Sequence, residues 1–107
     1  MNKYWRVEFA KEAEKDRNGL DASSKRQVDK AIRKVSQNPL SKSEGGYGVP
    51  LGHKRGVNLT GLLKIKLRGL GIRVVYKIVR DGEIMKIIVI AARADDEVYD
   101  IAANRID

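Results

Sequence analysis

The residue types that grip phosphate gather in the second half of this sequence. Lys64, Lys66 and Arg68 alternate with Leu63, Ile65 and Leu67, so a strand through them has one apolar and one cationic face. Beyond a glycine turn, Arg73 recurs among Ile72, Val74 and Tyr76 in the same alternation. If the apolar sides of both strands face one core, Lys64, Lys66 and Arg73 share the opposite, open side. Same-face residues on neighbouring strands lie roughly 4.5–8 Å apart, close enough for several cations to hold one phosphate. Arg93 ends the next apolar run and flanks that surface, and Tyr99 adds a ring that can stack on a base. Arg68 and Lys77 extend the cationic face and are expected to bind a nucleic-acid backbone.

Taken singly, each of these residues has a plainer role. An exposed strand lysine is ordinarily solvated, a surface arginine forms an ion pair, and a helical tyrosine packs on a sheet. Their convergence on one face is what favours chemistry.

Other chemistries find less support. His53, between Gly52 and Lys54, is the only histidine, so any mechanism that needs two is excluded, and it is read here as solvated. The absence of cysteine removes disulfides, thiolate nucleophiles and thiolate zinc sites together. The glycine-rich stretch lacks the Gly-Lys-Ser/Thr ending of a nucleotide-phosphate loop. Asp95 and Asp96 read as the cap of the last helix, where carboxylates meet the positive end of the dipole, and a metal site would need further ligands nearby. No metal and no cofactor are expected. The 22 lysines and arginines outnumber the 14 acidic residues, giving a formal net charge of +8. Such an excess repels itself unless it meets an anionic partner, with nucleic acid the leading candidate. No run approaches the ~20 apolar residues of a spanning helix and no signal-peptide pattern opens the chain, so no membrane partner and a cytoplasmic location are expected.

The elements that must position these residues follow from periodicity. The 107 residues suit one domain, 1–107. Trp5, Val7 and Phe9 alternate as a strand, and Ala10 to Leu20 then take helical spacing with Gly19 as a stop. A second helix, capped by Asp21 or Ser24, carries Val28, Ala31, Ile32 and Val35 on one stripe and ends before Pro39. Residues 40–61 show no sustained period and are expected to form a long surface loop. Strands follow through Leu63–Leu67, Ile72–Ile78 and Ile84–Ala92, the last two joined by a two-residue Asp81-Gly82 hairpin turn. Val98, Ile101 and Ala102 mark a final helix. The expected order is β-α-α-β-β-β-α, an antiparallel sheet packed on one side against a helical hairpin, in the α+β class.

The run Lys64-Ile65-Lys66-Leu67-Arg68, then Gly71-Ile72-Arg73-Val74-Val75-Tyr76, then Arg93 and Glu97-Val98-Tyr99, resembles the RelE family of bacterial toxins. The resemblance covers nearly the whole chain. It implies the toxin of a type II toxin–antitoxin system: a metal-independent endoribonuclease that cuts messenger RNA in the ribosomal A site, beside 16S ribosomal RNA, and so inhibits translation. Carried over by position, it makes Lys66 the general base, Arg93 the proton donor to the leaving oxygen, Lys64 and Arg73 phosphate ligands, and Tyr99 a residue that stacks on or orients the RNA. It also implies a cognate antitoxin. Two rivals stand beside it. A ParE-like gyrase inhibitor shares the topology but needs no cationic cleavage set, and all five residues are present. A non-enzymatic RNA-binding module would use the charge, yet the strands offer no aromatic platform.

Overall fold

The computed structural model describes residues 4–54 and 57–106, with backbone alone at 53, 54, 57 and 58. Strand β1 (Arg6–Phe9) leads into helices α1 (Lys11–Asn18) and α2 (Ala22–Val35). A short 3-10 turn (Lys42–Glu44) precedes β2 (Val49–Lys54), β3 (Val57–Leu67), β4 (Ile72–Val79), β5 (Ile84–Ala91) and helix α3 (Asp95–Arg105). The strands form one five-stranded sheet in the order β1-β5-β4-β3-β2. Among the described residues only β1 runs parallel to its neighbouring strand; the other strand pairs are antiparallel.

Both helices of the hairpin start and stop where local chemistry directs. Asp21 caps α2 by accepting the Ser24 amide at 2.7 Å, satisfying one of the first-turn donors that no helix can pair internally. Val28, Ile32 and Val35 then fall on one buried stripe. Arg17 of α1 meets Asp29 of α2 in a two-pronged contact, Nε to Oδ1 at 2.7 Å and Nη2 to Oδ2 at 2.6 Å, which fixes the hairpin angle. The stripe, with Ala13, packs on Leu63, Ile72, Val74, Tyr76, Met85, Ile87 and Ile90.

The α+β class is as expected, and three details differ. First, residues 40–61 are not a plain loop: β2 pairs with β3, and β3 begins at Val57. Pro50 and Gly52 break the alternation that would reveal β2, and the pairing register shifts between them. Second, the sheet is mixed and covered on both faces. A register shift between β4 and β5 sets Val75 opposite Val89 and Tyr76 opposite Ile87. That bulge turns both Ile88 and Val89 away from the helical hairpin. With Leu51, Leu59, Leu62 and Val75 they form a second apolar surface, which Val98, Tyr99 and Ala102 of α3 bury. Third, the Asp81-Gly82 turn is longer than two residues, because Val79 pairs with Ile84.

The glycine-rich segment is built into the fold through Gly48. Added there, a Cβ would run into the Tyr76 hydroxyl, the Leu63 side chain and the Pro39 carbonyl oxygen. Tyr76 is fully buried and donates its hydroxyl to Pro39 O at 2.7 Å. Burial pushes its phenol well above the ordinary range. At the other sheet edge β1 covers only the first half of β5. The second half is closed by side chains: Asp16 accepts from Ile90 N at 3.0 Å, and Arg105 donates to Ile88 O at 2.9 Å and to Asp16 at 2.7 Å.

Candidate active site

Strand β3 delivers Lys64 and Lys66 to the α3 side of the sheet, because Leu63, Ile65 and Leu67 are taken up by the core on the other side. The antiparallel register sets Arg73 of β4 directly opposite Lys66. After β5 the chain passes through Arg93 and starts α3 at Asp95. Asp95 and Tyr99, four residues apart on that helix, project toward the same side.

These placements bring one carboxylate among three cations. Asp95 Oδ2 lies 3.7 Å from Lys64 Nζ and 3.6 Å from Lys66 Nζ. Its other oxygen accepts from Arg73 Nε. Arg73 is further fixed by donating Nη1 to the Arg93 carbonyl at 2.7 Å and to Gly71 O at 3.3 Å. Lys64 donates to the Tyr99 hydroxyl at 2.6 Å. Burial opposes the charge on Asp95, but the Arg73 hydrogen bond and the Lys64, Arg73 and Lys66 charges outweigh it and hold the carboxyl below its ordinary pKa.

The two lysines differ in freedom. The Lys64 side chain is 17% exposed and pinned by Tyr99, whereas Lys66 is 37% exposed. Tyr99 itself is 4% exposed. Its ring belongs to the α3 core and presents no face for a base to stack on, so what it contributes to the site is its hydroxyl.

Not every expected residue joins the cluster. Arg93 contributes its carbonyl, while its guanidinium is 59% exposed and reaches Glu97 at 3.3 Å. Arg68 is exposed in the β3–β4 turn. Lys77 pairs in register with Leu62 and lines a shallow hollow with Ile106, at the opposite end of α3. The His53 side chain lies outside the described residues. Asp95 was expected to cap α3; instead Ala94 is the cap residue, without a side-chain hydrogen bond, and the Asp95 carboxylate is spent on the cations. The signal that could have exposed this is its spacing from Tyr99, which puts both on one helix face.

Known proteins carry the same framework. A family described as the ParE toxin of type II toxin-antitoxin system, parDE, matches residues 7–97. A RelE-like toxin protein of Escherichia coli is 28% identical over 102 residues, 95% of this chain and 97% of that one. A double-arginine mutant of E. coli toxin RelE in the free state superposes with a TM-score of 0.74 at 25% identity, covering 98% of this chain and 100% of the other. The same mutant in complex with an antitoxin RelBc peptide gives 0.67 at 25% identity, over 98% and 100% of the two chains. The RelBE2 toxin-antitoxin complex of Mycobacterium tuberculosis gives 0.67 at 22% identity, over 89% and 100%. With nearly its whole length matched, the chain belongs to the ParE toxin family of type II toxin–antitoxin systems, in the superfamily that also holds RelE.

Proposed function

We propose that this toxin is an endoribonuclease that cleaves messenger RNA in the ribosomal A site and so stops translation in the cytoplasm. The carrying observation is the convergence of Lys64, Lys66 and Arg73 on one point, with Lys64 pinned by Tyr99. In the reaction a ribose 2′-hydroxyl attacks the adjacent phosphorus, Lys66 accepts its proton, and the bond to the 5′ oxygen breaks. The products are a 2′,3′-cyclic phosphate and a 5′-hydroxyl end. Lys64 and Arg73 hold the phosphoryl oxygens, where charge grows in the transition state. The split of roles follows exposure: the pinned, less exposed Lys64 suits a clamp and the freer Lys66 suits a base. Arg93 would turn from Glu97 to protonate the leaving oxygen. Arg68 and Lys77 contact RNA, message or 16S, outside the cluster.

A cognate antitoxin is the natural partner, as in the complex of E. coli RelE with the RelBc peptide, and its binding would cover the basic surface. The ParE name of the matching family favours a second reading, gyrase inhibition without RNA cleavage. Translating ribosomes incubated with the protein separate the two. New RNA ends confined to ribosome-occupied codons support the nuclease; DNA damage with intact message supports the gyrase inhibitor.

A further inference from the structure

We propose that Asp95 occupies the seat of the scissile phosphate, so that the toxin carries its own anion there and an RNA phosphodiester must exchange with it before the cations can act. The proposal rests on the reading above that Lys64 and Arg73 hold the RNA phosphate, with Lys66 beside it as the base. The carboxylate engages those same three side chains, two ammonium groups and one guanidinium edge. A phosphodiester has the same charge and the same two exposed oxygens, and would use the same donors.

The seat survives the departure of its occupant. Arg73 keeps its bonds to the Arg93 and Gly71 carbonyls, and Lys64 keeps its bond to Tyr99. The lysine contacts to Asp95, at 3.7 and 3.6 Å, are ion pairs beyond hydrogen-bond length. Asp95 is 34% exposed, so rotation about its Cα–Cβ bond carries the carboxylate into water while α3 stays in place. What it vacates is flanked by the first turn of α3, whose leading amides have no intrahelical partner and favour an anion.

The arrangement sets a threshold for substrate. A tethered carboxylate competes at high effective concentration, so a loose RNA strand in solution displaces it poorly. A strand already held in place, as in a ribosomal decoding site, pays less for the exchange.

The test is binding of a short fluorescent RNA oligonucleotide with 2′-O-methyl riboses, which cannot be cleaved. Asp95→Asn keeps the size of the side chain and removes its charge. Its Kd is expected to fall about 10-fold or more, because the internal competitor is gone. Asp96→Asn, the same charge change at an exposed neighbour, should gain less than about 3-fold from net charge alone. The salt dependence of Asp95→Asn should also steepen, by roughly 0.7 in log–log slope for each phosphate contact freed. Equal gains in the two variants, or weaker binding by a folded Asp95→Asn, would overturn the proposal. Should Asp95→Asn not fold, the wild-type protein decides: the Arg73 Nε–H resonance must move as RNA saturates the site, and an unmoved resonance overturns it. Ribosomal cleavage is scored separately. Tightened binding without cleavage keeps the phosphate seat and removes the nuclease; cleavage with unchanged binding does the reverse.

Discussion

The ammonium of Lys64 and the hydroxyl of Tyr99 lie 2.6 Å apart, although 35 residues separate them in the chain. Because the tyrosine ring is part of the α3 core, core packing sets where this lysine can be. Tyr99→Phe keeps the ring and removes the anchor. Loss of one partly buried hydrogen bond should cost about 0.5–1.5 kcal/mol of stability. Single-turnover cleavage on programmed ribosomes should drop more, by roughly 10- to 100-fold, as expected when a positioned group drifts by about an ångström. A rate equal to wild type would leave Tyr99 a purely structural residue.

Lys66→Arg tests the base. A guanidinium keeps the positive charge and binds phosphate, but it stays protonated and cannot take a proton near neutral pH. Ribosome binding should be unchanged and cleavage should fall about 10²- to 10⁴-fold, the usual worth of base catalysis. The same change at Lys64 should be milder. Near-normal cleavage by Lys66→Arg would move the base to Lys64.

The Gly48 contact makes a claim about stability alone. Gly48→Ala forces a methyl against Tyr76, Leu63 and the Pro39 carbonyl and should cost about 1–3 kcal/mol. Tyr76→Phe, which only leaves the Pro39 carbonyl unpaired, should cost about 1–2 kcal/mol. Urea denaturation measures both, and a silent Gly48→Ala would mean that the segment moves aside freely.

Acid should loosen the helical hairpin through Asp29. The Arg17 hydrogen bond, against an opposing cost of burial, holds the Asp29 carboxyl below its ordinary value of 3.8. A depressed carboxyl stabilises the fold above its unfolded pKa, and that stabilisation is lost as pH falls through the folded value. The melting-temperature advantage of wild type over Asp29→Asn should therefore be full at neutral pH and shrink below about pH 4. A constant difference down to pH 2 would refute the linkage.

Much of this was legible in the sequence because alternation survives where a strand has one filled face. Leu63, Ile65 and Leu67 against Lys64 and Lys66 gave both β3 and the side on which its cations lie. The α2 stripe was equally clear. Strand β2 was hidden because Pro50 and Gly52 interrupt its period. The second covered face was hidden because the apolar run of β5 shows burial without showing what covers it. Asp95 was missed because a helix-start carboxylate suits the dipole wherever its side chain points, and only the register of β3 against β4 brings three cations to it.

The site is expected to open more readily than the rest of the fold. The Tyr99 hydroxyl, the Asp95 carboxylate and the Arg93 carbonyl all ride on α3 or its leading residues. That helix is held by three buried side chains, Val98, Tyr99 and Ala102, at its start by the Asp95 and Tyr99 contacts to the cations, and at its far end by Arg105. The helical hairpin keeps a separate core on the opposite face of the sheet. Local opening of α3 should therefore have a lower free energy than global unfolding. Amide hydrogen exchange across Asp95–Arg105 is expected to outrun exchange in β4 and the first half of β5; equal protection would show one cooperative unit. On that expectation the toxin would be transiently disarmed and rearmed while most of its structure stays in place.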